Sequence, residues 1–478
     1  MRYQSFLFTA IIALSSTVHA QEKWDLRKCV DYALANNISI KQTEVQTKIA
    51  GVLLTQSKQG QLPTLNFSGG PGYNSGRNQD PTTFALITQG FLSANMQLQS
   101  SVEIFNWFSK KNAMMANQWQ VEANKASTDK LKNDIALTVA NAYLQILLNK
   151  EQQKIAQVQV QQTQAQLTNT RKLVDAGSLP ELNAAELDAQ LGRDSSSEVS
   201  ARGNVAQSIL VLKAYMNMDA AADFDIGVPP VEMIPIEKIG DLQPEAVYAL
   251  ALVNLPQQRV NDFNLKVAKK NAGSARGSMY PTVSGYGSLS SNFINSKIPE
   301  YQFTGNYTSN PVGPQVEIGG VPYKVGSPEF VVSGKKGTPF FIQLDNNFRQ
   351  SIGLSINVPI LNGGGLRSAW ERSKLNIKNV ELQQVADNQK IKQDIYQAYN
   401  AATVAFEKFN ASKKTIETSQ RSYDFAKKRY DVGMLSTLDL ITNQNNLFRA
   451  KLEYVLNQFD YVFKMKVLEF YKGQGLKL

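Results

Sequence analysis

Two related segments, RKLVDAGSLPELN at residues 171–183 and KKRYDVGMLSTLD at residues 427–439, are the most informative feature of this chain. Each glycine in them closes a stretch of 67 residues without proline or glycine, at residues 110–176 and 366–432. A helix of that length is about 100 Å long at 1.5 Å per residue, against roughly 11 to 12 residues for an average helix. It cannot fold back into a compact domain, so the sequence predicts a rod that needs neighbouring helices.

The two segments belong to a duplication that covers most of the chain. DYALANN in the first copy also resembles VYALALVN in the second, and QLPTLNF resembles MYPTVSGY. From the last predicted strand to the glycine turn, the copies keep a constant separation of 256 residues, which pairs Asn106 with Asn362, Ala142 with Ala398, Tyr143 with Tyr399 and Gly177 with Gly433. One long-helix module is therefore present twice.

The N-terminus predicts export. Residues 1–20, MRYQSFLFTAIIALSSTVHA, carry Arg2, an apolar run and small residues before Ala20, which is typical of a secretory signal peptide. The alternative, a membrane anchor, is disfavoured because the apolar run is shorter than the ~20 residues that a spanning helix needs. No later segment is long and apolar enough to span as a helix.

Composition argues against an enzyme. His19 is the only histidine and would leave with the signal peptide, and Cys29 is the only cysteine. We therefore expect no Ser-His-Asp triad, no histidine metal site, no cofactor and no internal disulfide. We expect Cys29 to be a semi-buried helix residue rather than a lipid attachment site. The net charge of +10 is dispersed along the chain, which favours solvated helix faces over a nucleic-acid surface.

Four segments alternate between apolar and polar residues, as half-buried strands do. In the clearest of them, apolar Leu98 and Val102 share one parity, and polar Gln97 and Ser101 share the other. We predict strands at residues 64–73, 92–104, 282–293 and 351–358. A long exposed loop with some strand of its own is expected from Ile294 to Phe348, because Gly, Pro, Asn and Ser are frequent there.

Each rod is expected to return as an antiparallel helix after its glycine, because a connection of about four residues leaves no other arrangement. Apolar residues of the first rod predict a coiled-coil seam through Leu144, Leu148, Ile155, Val158 and Ala165. Pro180 and Ser436 are expected to begin the returning helices, and Gly177 and Gly433 to supply the positive φ that ends the rods.

An exported chain with such strands favours a membrane barrel. Strands of about 9 to 11 residues can cross a bilayer, and no strand edge can stay unpaired in hydrocarbon. Single-chain barrels start at about eight strands, so four strands require several copies of the chain. The alternative is a soluble sheet packed on helices, which alternates in the same way. We place five residues on the lipid-facing side: Leu98, Val102, Ile352, Leu354 and Ile356.

DYALANN, QLPTL, the phrase PILNGG after the last strand and RYDVGMLSTLDL together resemble the TolC-like outer-membrane efflux proteins. The resemblance covers the mature chain. It implies a mixed α and β membrane protein: a homotrimer whose four strands per chain form one 12-stranded β-barrel, continued by a periplasmic α-helical tunnel. It also implies a periplasmic adaptor protein and an inner-membrane transporter as partners, a location in the outer membrane, and passive export as the function.

The resemblance further implies a periplasmic gate at the glycine turns. Tyr430 and Asp439 match the family's tyrosine and first aspartate, while Thr442 and Asn183 stand where aspartates are frequent. Three copies of Asp439 in one constriction would favour cations; the alternative role for Asp439 is that of an acid in the first turn of a helix. The docking tip for the adaptor is expected at Gly177, Leu179, Pro180, Gly433, Met434, Leu435 and Ser436.

These inferences divide the chain into a signal peptide, a first repeat, a linker, a second repeat and a tail. The competing hypothesis is a soluble periplasmic coiled-coil scaffold or adaptor, which should have one hairpin instead of two. The expected bounds are 1–20, 21–220 with strands about 64–107 and a hairpin about 110–218, 221–242, 243–472 with strands about 282–361 and a hairpin about 366–471, and 473–478.

Overall fold

A computed structural model describes residues 23–79, 84–227, 234–295, 297–309 and 313–473. The predicted signal peptide, part of the predicted linker and most of the predicted tail lie outside the described residues. Within the described part of the chain, no helix is long and apolar enough to cross a membrane.

The order of elements repeats, with matching lengths. The first half contains α1 (Leu26–Asn36), α2 (Ile38–Gln59), β1 (Thr64–Gln79), β2 (Leu86–Phe105), α3 (Ser109–Asp175) and α4 (Glu181–Met216). The second half begins with α5 (Pro244–Asn254), α6 (Pro256–Gly277) and β3 (Thr282–Ile294) and, after an insertion, ends with β8 (Arg349–Asn357), α8 (Gly365–Asp431) and α9 (Thr437–Phe470). The matched pairs have 11 residues in α1 and α5, 22 in α2 and α6, and 67 in α3 and α8. The two predicted rods are thus confirmed as single helices.

The chain forms two compact units, one helical and one built around a sheet. The helical unit comprises the described parts of residues 1–52, 117–268 and 376–478. It has two equivalent cores: α1 packs on α3 and α4 around Cys29, Val139 and Met216, and α5 packs on α8 and α9 around Ile395 and Met465. Cys29 is fully buried, deeper than expected. Each short helix therefore covers the long helix pair of its own repeat.

The seam predicted along α3 is correct only in its first part. Leu144 is buried, but Val158 is 41% exposed and Ala165 is exposed. In this part of α3 the buried positions are taken by three polar residues, Gln159, Thr163 and Thr170, together with Ala156 and Leu167. These polar residues satisfy their hydrogen bonds inside the protein, so apolar periodicity alone could not locate the seam.

The second unit, residues 53–116 and 269–375, contains one antiparallel sheet in the order β1-β2-β3-β8. The four strands are the four that the alternation predicted, although β1 and β2 are longer than expected. β1 pairs with β2 over its full length, from Thr64 opposite Ser101 to Gln79 opposite Leu86. Among the described residues, the two outer strands, β1 and β8, each keep one edge without a strand partner.

The insertion between β3 and β8 is more ordered than the predicted loop. It holds β4 (Lys297–Ser309), β5 (Gln315–Ile318), β6 (Val321–Lys324), β7 (Gly326–Gly337) and α7 (Phe340–Asn346). β4 pairs with β7 and β5 with β6, as two further two-stranded sheets. Cross-strand aromatic contact, such as Phe303 against Phe330 with ring centroids 5.9 Å apart, stabilises strands that are rich in glycine and proline.

Candidate functional site

Both glycine turns have the same helix-ending geometry. Gly177 has φ +72° and Gly433 has φ +74°, as the sequence predicted. Each glycine N–H donates to the carbonyl three residues back, and the next N–H donates to the carbonyl five residues back, at 2.8 to 2.9 Å. This is the Schellman motif, which satisfies carbonyls that a helix end leaves unpaired.

The returning helices start differently in the two hairpins, which we define as α3 with α4 (the first) and α8 with α9 (the second). Pro180 precedes α4 without a side-chain cap. Ser436 caps α9: its hydroxyl accepts from the Asp439 N–H at 3.1 Å and donates to the Asp439 carboxylate at 2.7 Å. Ser436 is therefore the N-cap residue of α9, and Asp439 has a structural role because its carboxylate accepts the proton of the capping hydroxyl.

Tyr430 connects the two hairpins near their turns. Its hydroxyl lies 3.0 Å from the Thr170 hydroxyl of α3 and accepts a long hydrogen bond, 3.5 Å, from Thr437 of α9. The tyrosine ring packs against a small cluster formed by Tyr423, Ala426, Leu440 and Leu447. Tyr430 thus joins α3 to the second hairpin through one polar contact.

A second, parallel contact was not anticipated from the sequence. The Gln166 side chain of α3 donates to the Tyr423 hydroxyl of α8 at 2.9 Å. Burial raises the pKa of Tyr423 above the usual tyrosine value, which further favours the neutral hydroxyl. The seven-residue spacing between Tyr423 and Tyr430 places both rings on one side of α8, and that repeat could have indicated the pair.

The turns and these tyrosines line one groove of about 680 Å³. Of the four predicted gate residues, Tyr430 and Asn183 line it, and Asn183 is partly buried. Asp439 and Thr442 are exposed on α9 and are not among its lining residues. The Thr442 hydroxyl donates to the Leu438 carbonyl at 2.8 Å, within its own helix.

The predicted docking residues differ in exposure. Met434 is 71% exposed, as expected for a contact residue. Leu435 is instead partly buried against the Tyr423 cluster, and Leu179 is half-buried. The three apolar residues of the docking tip therefore differ: Met434 is exposed, whereas Leu435 packs on α8 and α9 of its own hairpin. Gly177, Pro180, Gly433 and Ser436 are exposed.

Strand register places the five predicted lipid-facing residues on one face of the sheet. Val102 pairs with Gly285, which pairs with Leu354, and side chains of directly paired residues point to the same side. Leu98, Ile352 and Ile356 share that side by parity, with exposures of 92% for Ile352 and 70% for Leu354. The opposite face is polar and carries Gln97, Gln99, Ser101, Ser288, Ser351 and Ser355.

Comparison with known proteins shows which family has a similar sequence. The family model described as "Outer membrane efflux protein" matches residues 29–218 and 343–468, about two thirds of the chain. The chain is 20% identical to the outer membrane protein TolC of Escherichia coli, over 94% of this chain and 82% of TolC. It is 21% identical to the outer membrane efflux protein BepC of Brucella suis, over 97% and 90% of the two chains.

Solved structures show the same fold. The CmeC outer membrane channel of Campylobacter jejuni superposes with a TM-score of 0.72 at 16% identity, over 94% of this chain and 86% of that one. The predicted fold class is confirmed, with its four strands per chain and long helical hairpins.

Family and fold together also decide between the functional hypotheses. The protein is an outer-membrane export duct that extends into the periplasm of a Gram-negative bacterium, and members of its family work in tripartite pumps with adaptors and inner-membrane transporters. It is a channel rather than an enzyme, and a soluble periplasmic scaffold is not favoured. This chain belongs to the outer membrane efflux protein family.

Proposed function

We propose that three copies of the chain close one 12-stranded barrel, with β8 of each copy pairing with β1 of the next. The observation that carries this proposal is the sheet itself: four strands, one apolar face, and edges on β1 and β8 that no other described strand pairs with. An unpaired edge in hydrocarbon leaves backbone groups without hydrogen bonds, each at a cost of several kcal/mol. Only closure through neighbouring copies removes both edges.

In this trimer, the face that carries Leu98, Val102, Ile352, Leu354 and Ile356 contacts outer-membrane lipid, and the serine and glutamine face lines the lumen. This orientation follows the usual pattern of outer-membrane barrels, apolar outside and polar inside. The dispersed positive charge supports no role in nucleic-acid binding.

The gate lies at the glycine turns, where Tyr430 and Asn183 share a groove. Tyr430 holds α3 against the second hairpin through Thr170, and Asn183 lies on the same groove wall. Asp439 and Thr442 lie on the exposed side of α9 and face the constriction once three copies assemble. Carboxylates on a narrow pore attract cations, so Asp439 would contribute charge selectivity in addition to its capping role.

The adaptor docks on the exposed residues of the same turns. Met434 presents an unbranched apolar side chain, which adapts well to a partner surface. Gly177, Pro180, Gly433 and Ser436 are also exposed at the two turns, whereas Leu179 and Leu435 are partly buried there. The inner-membrane transporter would be reached through the adaptor.

Fractionation followed by planar-bilayer recording tests this function. We expect the protein in the outer-membrane fraction, released only by detergent, and a discrete conductance after reconstitution. Recovery from the soluble periplasm without detergent, or reconstituted protein that never conducts, would refute it.

A further inference from the structure

A buried polar layer connects α3, α4 and α9 well away from the turns. Its members are Thr163, Gln190, Asp194 and Gln444, each between 0% and 6% exposed, with Gln159 at 5%. Thr163 lies 14 residues from Gly177, which corresponds to about 21 Å along a helix. The layer contains a carboxylate, and burying a charge is costly unless it is fully hydrogen-bonded.

Among the described residues, the side chains that donate to the Asp194 carboxylate all belong to the first hairpin. Thr163 and Gln190 donate to its two carboxylate oxygens at 2.7 Å each, and Gln159 adds a longer bond of 3.4 Å. Arg193, one residue away, donates to the side-chain amide oxygen (Oε1) of Gln190 at 2.8 Å. The charge of the layer is therefore compensated without any residue of the second hairpin.

The second hairpin contributes only neutral amides. Gln444 of α9 donates to the Thr163 hydroxyl at 3.0 Å, and Asn445 exchanges bonds of 3.1 and 3.4 Å with Gln190. Neutral hydrogen bonds contribute about half as much as charge-assisted ones. The hydrogen bonds between α9 and the layer are thus weaker than those that Asp194 accepts within the first hairpin.

The network also fixes the orientation of the Gln444 amide. Thr163 has one hydroxyl proton and gives it to Asp194, which can only accept, so the Thr163 oxygen must receive its bond from the Gln444 N–H. The Gln444 carbonyl oxygen is then left without a hydrogen-bond partner among the described residues, although the side chain is 1% exposed. A buried acceptor of this kind weakens the association that buries it.

The packing of α3, α4 and α9 does not require a polar residue at position 444. In the next layer toward the turns, the same three helices meet through Leu167, Leu187 and Ile441, which are at most 5% exposed. An apolar residue in place of Gln444 would extend that layer. We propose that the Asp194 layer makes the first hairpin one rigid body and makes α9 a releasable neighbour, which positions the second hairpin so that it can separate from α3 without exposing an uncompensated charge.

The proposal rests on the gate described above. It predicts that replacing the buried polar side chain of Gln444 will strengthen the contact between the two hairpins. Gln444→Met keeps the length of the side chain and removes the unpaired acceptor. Spin labels on cysteines at exposed positions 175 and 432 report the distance between the two turns, with labelled chains diluted among unlabelled ones. We expect at least a roughly five-fold loss of the longer-distance population, a higher thermal midpoint of the detergent-purified trimer and lower conductance.

Two matched variants complete the test. Asn446→Met also replaces an amide with a thioether, but at an exposed position of α9, and should alter neither the distances nor the midpoint. Asp194→Leu leaves the buried donors of Thr163 and Gln190 without their acceptor. It should therefore lower the thermal midpoint, whereas Gln444→Met should raise it.

Broader distances or loss of the folded trimer in Gln444→Met would overturn the proposal, because either outcome makes Gln444 a required contact. An unchanged distribution would also overturn it, because the unpaired acceptor would then not weaken the contact. The gate itself is tested separately: if Gln444→Met narrows the distances but leaves conductance unchanged, the layer works as proposed and the gate lies elsewhere. If distances do not narrow while Tyr430→Phe still raises conductance, the gate stands and the layer fails.

Discussion

At the residue scale, the structure gives two of the predicted gate residues defined side-chain partners in the turns. Tyr430 touches α3 and α9, and Asp439 is held by Ser436. Sequence reasoning could identify these residues because they stand at fixed distances from Gly433. It could not identify Thr170 or Gln166, since a threonine or glutamine on a long polar helix looks like a solvated face until its partner across the hairpins is known.

Removing the Tyr430 hydroxyl should loosen the contact between the hairpins. In Tyr430→Phe the hydrogen bond to Thr170 is lost while the ring keeps its packing, a change of about 1 kcal/mol or roughly five-fold in the balance between closed and open forms. Planar-bilayer conductance should rise accordingly. Thr170→Val should give the same rise, and the double variant should add little. Full additivity would show that the two hydroxyls do not act together.

Asp439→Ala should reduce the preference for cations, because three carboxylates leave the constriction of the trimer. The reversal potential under a salt gradient measures this preference. Ser436→Ala serves as the control, since it weakens the same helix cap at a typical cost of about 1 kcal/mol without changing charge. Unaltered selectivity in Asp439→Ala would assign this residue to capping alone.

At the element scale, long helices were the most predictable part of the protein and the seams between them the least. Proline and glycine mark where α3 and α8 end, and the turn chemistry of Gly177 and Gly433 follows from their positive φ. The buried side of α3 depends instead on Gln159 and Thr163, which are inside only because Asp194 of α4 accepts their hydrogen bonds. Long-range partners of this kind leave no local pattern. The strands of the insertion were similarly obscured by glycines and prolines.

Two glycines of the hairpins should respond to alanine in opposite ways. Gly433→Ala forces a Cβ into the left-handed region and should destabilise the turn by about 1 to 2 kcal/mol. Gly192 lies inside α4, where an added Cβ meets open space, so Gly192→Ala should stabilise by about 0.5 to 1 kcal/mol. Thermal unfolding followed by far-ultraviolet circular dichroism measures both. Equal shifts of the two thermal midpoints would mean that the positive φ of the turn does not require glycine.

At the scale of the whole molecule, the sheet decides how copies combine. Alternation in the sequence located the strands and their apolar parity, and the register then placed residues from β2 and β8 on one common face. The sequence could not supply the order β1-β2-β3-β8, because pairing between the two repeats depends on contacts nearly two hundred residues apart. That order is what leaves β1 and β8 as the joining edges.

An arginine on the apolar face should block assembly, whereas one on the polar face should not. Leu354→Arg places a charge toward lipid, at a cost of about 2 to 4 kcal/mol near the bilayer midplane. Ser355→Arg, the next residue of β8, faces the proposed lumen and should assemble normally. The yield of trimer in outer-membrane extracts measures both. Equal yields would mean that the facing of the sheet has been assigned wrongly.

Cross-linking between the edge strands tests the central claim most directly. Cysteines are placed at Asn66 or Ser68 of β1 and at Ser351 or Ser355 of β8, all on the polar face, and membranes are oxidised. Within one chain these edges lie about 14 Å apart across the sheet, too far for a disulfide. Cys29 should not interfere, because burial raises the pKa of its thiol to about 12.

The account predicts covalent dimers and trimers, with no larger species, from at least one pairing of β1 and β8 cysteines. Chains that remain monomeric in every pairing, or ladders that continue beyond three copies, would contradict closure of the barrel by three chains.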